Sequence, residues 1–297
     1  MKLKFTIGQL MWLAACGVAM SVVVAEDFAF VHMTDTHFPH DPRAADLIAK
    51  ARSAQDLNLT AYGVSGKAPA FVVVTGDITE FGVEGWGAYT NSVSNSPIPF
   101  YSQLGNHDNT WTSLRPQIRA AHGGVTYSFD YGGCHFIGVD SSIPQDPRPA
   151  IGREALLWIE NDLAELPPET PLFLFLHHEP SGSQYASAYN CEQLIDLFAQ
   201  RNLVLILAGH THGSRAFKIG AVDGIVGGAG YGGSAGYNVI AIKQGEIFAA
   251  HERLNNTEAS KALLEKQMPT NAPTEIVEIH SPAKGASLKS ESDYTTR

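Results

Sequence analysis

The chain has 297 residues, 44% of them hydrophobic and 17% charged, with a formal net charge of −10. That is enough for one large domain or two small ones with an ample core, and the acidic balance argues against a general nucleic-acid binder, which is usually basic. An anionic substrate stays allowed, because bound metal ions reverse the local field.

Residues 1–25 read as an export signal. Lys2 and Lys4 form a positive start, an apolar stretch runs over 5–24, and Val23-Val24-Ala25 ends it in small residues before Glu26-Asp27. Cleavage near Ala25 is the preferred reading, which puts the protein in the periplasm or outside the cell. Two others stay open. Left uncleaved, the stretch is near the length of a membrane anchor. Leu13-Ala14-Ala15-Cys16 also resembles a bacterial lipobox, which would leave Cys16 lipid-modified. Membrane contact is expected only through this segment. A domain over 26–253 and a flexible tail over 254–297 follow. Cys134 and Cys191 remain after cleavage and are as suited to pairing as to staying apart. No Cys-x-x-Cys occurs, which disfavours a thiolate zinc site.

The pattern predicts a strand over 28–33, a helix over 42–57 opened by Pro42, and a strand over 70–74 that is buried on both faces. A helix over 84–93 and a strand over 98–104 come next. Two β runs, 125–130 and 134–140, flank Gly132-Gly133 and read as a hairpin. A helix over 152–166 is stopped by Pro167-Pro168. A strand over 172–176, a helix over 191–200, a strand over 203–207 and several short strands to about residue 250 complete the domain. Within the tail, 258–268 reads as a loose helix. Strands alternate with helices first, and hairpin-like strands follow, which is an α/β (α+β) pattern.

Five islands interrupt these elements, each just past a predicted strand: Asp35-Thr36-His37, Gly76-Asp77, Gly105-Asn106-His107-Asp108, His177-His178 and Gly209-His210-Thr211-His212. The C-terminal ends of strands are where open α/β sheets carry their sites. Taken singly, most islands are ordinary turns. Together they hold six of the twelve histidines, with enough oxygen and imidazole ligands for two adjacent metal ions. Two such ions suit displacement at phosphorus, because they acidify a water and neutralise ester oxygens.

In this order the islands resemble the calcineurin-like metallophosphoesterase superfamily, over about 28–251. The stretch Gly76-Asp77-Ile78-Thr79-Glu80-Phe81-Gly82 resembles its cyclic-nucleotide-phosphodiesterase-like branch. The resemblance implies a four-layer α/β/β/α sandwich, two mixed β-sheets flanked by helices. It implies that Asp35, His37 and His212 hold one metal, that Asn106, His210 and a histidine of the His177-His178 pair hold the other, and that Asp77 bridges them. His178-Glu179-Pro180 fits the His-x-Pro of related proteins, so His178 is assigned, with His177 behind it or at the rim. Purple acid phosphatases carry a ligand tyrosine where Glu80 stands, so no iron–tyrosine chromophore is expected. Relatives use an acidic residue there to orient the catalytic histidine. Mixed oxygen and imidazole ligands suit Fe, Mn or Zn.

The activity so implied is hydrolysis of a small phosphate ester by metal-held hydroxide. His107, not needed as a ligand, protonates the leaving alkoxide. Asp108 holds the loop or orients His107. Tyr185, Tyr189 and Tyr231 with the glycine-rich stretch 227–236 are candidates for the mouth, and His40 reads as a surface residue. Phosphomonoesters, phosphodiesters and nucleotide-like pyrophosphates all fit. The alternative is a relative that binds metal or a partner without turnover. Nothing in the sequence sets an oligomeric state.

Overall fold

The computed structural model describes residues 25–53, 58–59, 64–65, 68–181, 190–255 and 260–269. Residues 1–24 of the segment read as an export signal, with Cys16, the mouth candidates Tyr185 and Tyr189, and the tail beyond 269 lie outside the described residues. No helix among the described residues is long and apolar enough to cross a membrane.

In chain order the elements are β1 (Phe28–Met33), α1 (Arg43–Ser53), β2 (Asn58–Leu59), β3 (Val64–Ser65), β4 (Pro69–Thr75), α2 (Val83–Val93), β5 (Phe100–Gln103) and α3 (Arg115–His122). There follow β6 (Tyr127–Tyr131), β7 (Cys134–Val139), α4 (Arg153–Ala164), β8 (Leu172–Leu176), α5 (Cys191–Asp196) and β9 (Leu203–Ala208). The last are β10 (Arg215–Ile219), β11 (Val222–Val226), β12 (Gly236–Lys243), β13 (Glu246–Arg253) and β14 (Lys261–Gln267).

Two six-stranded mixed sheets result. One runs β14-β13-β12-β1-β4-β5 and the other β10-β11-β9-β8-β7-β6. The central strands β1, β4 and β5 are parallel, as are β7, β8, β9 and β11. The hydrophobic runs are buried on both faces, and their side chains alternate between two cores. On β7 and β8, Phe136, Phe173 and Phe175 point toward the first sheet, where Phe30 and Phe71 meet them. Between them, Ile137, Val139, Leu172, Leu174 and Leu176 face Ile159 and Leu163 of α4 and Leu194 and Ile195 of α5. Leu47 and Ile48 of α1 cover the outer face of the first sheet. The four expected layers are therefore present.

The rings between the sheets form one continuous stack. Phe30 stacks on Phe71 at 5.0 Å, Phe136 on Phe173 at 4.7 Å, and Phe71 meets Phe136 edge-on at 5.1 Å. Each buried phenylalanine contributes roughly 1.5–3 kcal/mol from area alone. This packing fixes the two sheets against each other, and so aligns their C-terminal edges.

The structure corrects one sequence expectation, adds an element and settles an open alternative. The segment read as a loose helix over 258–268 is strand β14, paired antiparallel with β13. A short isolated helix is marginal in water, whereas the open edge of β13 offers unpaired backbone groups. Lys266 then reaches across, its Nζ 2.7 Å from the Val204 carbonyl and 2.9 Å from Asp223. The sheet thus continues beyond residue 253. Helix α3 was not foreseen: only Ile118 within it is buried, so there is little apolar periodicity to read. Cys134 and Cys191 are both free thiols, the first packed between the sheets and the second against the outer helices' core.

One ion cluster, built around the buried His135 ring, ties β6, β7 and α4 together. His135 lies 2.7 Å from Asp130 through Nδ1 and 2.8 Å from Asp162 through Nε2. Burial lowers its pKa, but the two carboxylates outweigh burial and leave it above the ordinary value of 6.5. A raised folded pKa means that the stabilisation is full below the unfolded value and is lost as pH rises through the folded one. His135→Gln is therefore expected to destabilise the protein more at pH about 5.5 than at pH about 8.5. Urea unfolding at the two values tests this, and a pH-independent difference contradicts it.

Candidate metal centre

All five islands lie at the shared C-terminal edge of the two sheets. Asp35 and His37 follow β1, Asp77 follows β4, and Asn106 to Asp108 follow β5. From the other sheet, His177 and His178 follow β8, and His210 and His212 follow β9. Backbone bonds stitch adjacent islands together: Asp35 N donates to the Gly76 carbonyl and His37 N to the Asp77 carbonyl. Gly105 and Gly209 permit the close approach. A Cβ on Gly105 would lie 2.1 Å from Asp77 Oδ1, and one on Gly209 2.0 Å from Thr34 Oγ1.

The ligand-type atoms converge. Four sets of donor atoms lie within 4.8 Å of one another: Asp35, His37 and His212; His37, Asp77 and His107; Asp35, Asp77 and His177; and His177, His178 and His210. Asp77 sits between the first and last sets. Its Oδ2 is 3.2 Å from His177 Nε2 and 3.8 Å from His37 Nε2. Asp35 Oδ1 is 3.1 Å from His212 Nε2.

Each side chain is held by its other polar atom. Asp35 Oδ2 accepts from Thr34 Oγ1 at 2.6 Å and from His210 N at 3.0 Å. Asp77 Oδ1 accepts from His107 N at 2.9 Å. His37 Nδ1 meets Glu80 Oε2 at 2.6 Å, His177 Nδ1 meets the Thr75 carbonyl at 2.7 Å, and His178 Nδ1 meets Ser141 Oγ at 2.8 Å. The atoms facing inward are left bare. Asp35 Oδ1, His37 Nε2, Asn106 Oδ1, His177 Nε2 and His178 Nε2 are five of the nine buried side-chain polar atoms without a hydrogen-bond partner among the described residues. Buried polar atoms rarely go unpaired. Four of these atoms, those of Asp35, His37, His177 and His178, belong to the clusters above and to side chains fixed from behind, an arrangement that fits a metal pair.

The backbone is bent to the same end. Asp35, His37, Asp77, His210 and His212 all have positive φ, between 46° and 70°. Non-glycine residues adopt this conformation at a cost of roughly 1–3 kcal/mol each, and such strain clusters at functional sites. The electrostatics agree. Burial disfavours charge on Asp35 and Asp77, yet His212, His37 and His177 hold both carboxylates below the ordinary range. Burial likewise opposes charge on His37 and His177, but the carboxylates raise both to about 9. The cluster thus demands positive charge, which bound metal ions would supply in place of protons.

His177 reaches further in than the sequence reading placed it. It is fully buried and stands against Asp77, while His178 packs beside it at a 4.7 Å ring separation and faces His210. Burial, with His177 and His210, holds the pKa of His178 well below 6.5. Ser141, the orienting partner of His178, was not singled out from sequence. Its one signal was its place at the C-terminal end of β7.

The three residues with proposed catalytic roles separate. His107 is part-exposed and stands edge-on to His37 at 4.6 Å, with Nδ1 3.2 Å from the Glu80 carbonyl and 3.5 Å from its carboxylate. Glu80 binds His37 more closely than His107, so its first task is to aim a candidate ligand. Asp108 does not orient His107. Fully buried, it accepts bonds from Ile78 N, Thr79 N, Thr79 Oγ1 and Gly105 N, and so braces the Asp77 loop against the His107 loop. Its four donors occupy both carboxylate oxygens. At the rim, Tyr231 meets His212 Nδ1 through its hydroxyl at 3.2 Å, and His40 is exposed beside it.

A calcineurin-like phosphoesterase family model matches residues 28–214. The chain is 32% identical over 157 residues to a probable glycerophosphodiester phosphodiesterase of Arcobacter nitrofigilis, covering 48% of this chain and 57% of that one. It is 31% identical over 168 residues to a probable cyclic nucleotide phosphodiesterase of Rhodopseudomonas palustris, covering 52% and 60%. The matched stretch thus spans little more than half the length of either relative. Among solved structures, GAP50, the anchor in the inner membrane complex of Plasmodium, shares the fold, with a TM-score of 0.57 at 15% identity over 83% of this chain and 89% of that one. The family normally binds divalent metals, and its matched span here runs from β1 through all five islands. On that match, and on the strand-end cluster it encloses, the chain belongs to the calcineurin-like phosphoesterase family.

Proposed function

We propose that this protein is an exported phosphodiester hydrolase working with two metal ions. The observation that carries the reading is the set of partnerless buried ligand atoms of Asp35, His37, His177 and His178, drawn from both sheets and clustered about Asp77. Asp35, His37 and His212 would hold one ion, and Asn106, His177 and His210 the other, with Asp77 shared. His177 is preferred to His178 because it stands against Asp77 while its Nδ1 is fixed by a backbone carbonyl. Metals bound there acidify a water and draw charge off the ester oxygens.

The chain's own residues do the rest. His107 donates Nδ1–H to the Glu80 carbonyl, which leaves Nε2 to carry a second proton toward the departing oxygen. The Glu80 carboxylate stands 3.5 Å from the same Nδ1 and helps fix the ring's orientation. Diesters are preferred as substrates because both curated relatives bear phosphodiesterase names. Export is supported by Lys2 and Lys4, the apolar run behind them and the small residues ending at Ala25.

Three measurements test this. His107→Ala should lower kcat by about 10²–10⁴-fold for a diester with an alkyl leaving group, and far less for p-nitrophenolate, which departs unprotonated. Equal losses on both would remove His107 as the acid. His177→Ala should lower bound metal toward about one ion per chain by elemental analysis, while His178→Ala keeps about two; the reverse pattern would exchange their roles. N-terminal sequencing of protein recovered from outside the cytoplasm should begin at Glu26, and an intact Met1 would defeat the export reading.

A further inference from the structure

A cleft of about 390 Å³ opens directly off the candidate metal centre, with His212 as their common wall. Seven of its ten lining residues lie beyond the stretch that the family model matches. Two cations stand on it. Arg253 ends β13, and Lys261 begins β14, the edge strand that the sequence did not reveal. Among the described residues neither makes an ion pair, and Lys261 only donates to the Ser214 carbonyl at 2.8 Å. The one carboxylate on the wall, Glu252, is engaged by the Ser260 hydroxyl. In a chain of net charge −10, two unneutralised cations beside a metal-seeking site are conspicuous.

The floor is built to stay open. His251 is buried, its Nδ1 bonded to Asn238 Oδ1 at 2.9 Å. Its other edge adjoins Gly228 and Gly236: a Cβ on either would come within 2.8 Å of the ring. Burial, reinforced by Arg253 and Lys261, holds the His251 pKa down to about 4, so the ring adds no charge at neutral pH. The Ser234 hydroxyl also lines the cleft, while that of Ser214 donates to Asn238 Oδ1 at 3.4 Å.

We propose that this cleft is a specificity subsite for the non-reacting end of the ester, and that it takes substrates carrying a second anionic group there, a phosphate or a carboxylate. Arg253 and Lys261 contact that group while the scissile phosphate lies against His212 and the rest of the centre. The inference rests on the phosphodiesterase reading above and narrows its substrate class.

The test compares two p-nitrophenyl phosphodiesters on metal-reconstituted full-length protein. One carries a methyl group as its second substituent, the other a 3-phosphopropyl group. The phosphorylated ester is expected to show a kcat/KM about tenfold or more above the methyl ester, from charge-assisted hydrogen bonds. In Arg253→Ala/Lys261→Ala that ratio should fall to about one, and in Arg253→Glu below one. Because the ratio is taken within each protein, partial loss of folded enzyme does not affect it. A ratio near one in the wild type, or one unchanged in the double variant, overturns the subsite. Turnover of neither ester by wild-type protein instead overturns the phosphodiesterase reading, and this inference with it.

Discussion

Two carboxylates, Asp35 and Asp77, are buried next to each other with almost no exposure. Taking one ionised carboxylate out of water is costly, and placing a second beside it is more so. The surrounding structure answers that demand. Imidazoles crowd the inward oxygens, backbone and hydroxyl donors occupy the outward ones, and among the described residues no lysine or arginine pairs with either carboxylate. Arg115, the guanidinium next along the chain from the His107 loop, is spent instead on Asp140 at 2.7 Å. The charge deficit is thus reserved for something that binds.

That demand propagates outward. To aim five ligand-bearing residues at one point, the backbone accepts positive φ at each of them. Such strain persists only where the frame over-determines it. The frame is the aromatic stack between the sheets. Phe30 and Phe71 belong to the strands that end in Asp35 and Asp77, and Phe173 and Phe175 to the strand that ends in His177. The packing that stabilises the fold is therefore also what sets the distance between the two halves of the centre. Asp108 completes the frame by bracing two loops, a structural use of a residue that looked chemical in the sequence.

Much of this was legible beforehand. The buried runs at residues 70–74 and 172–176 announced strands covered on both faces, and the islands after them marked one sheet edge. Three features were not legible. Helix α3 buries a single residue, too little for a periodic signal. Strand β14 has a composition that suits a helix, and only the vacant edge of β13 makes it a strand. Between His177 and His178, a one-residue step reverses the side chain's direction along an extended chain, so neighbouring residues of one type differ only through what each face meets.

The sequence by itself determined most of the order of strands and helices, all but α3 and β14, and the placement of the candidate metal-binding residues after strands, because apolar periodicity and residue chemistry are local properties. The tertiary structure alone decided which atom of each side chain points inward, that Glu80 serves His37 before His107, and that Arg253 and Lys261 flank the same cleft as His212. Those are relations between segments up to two hundred residues apart. Only the packing of one sheet on the other, and the pairing of β14 with β13, brings them within reach.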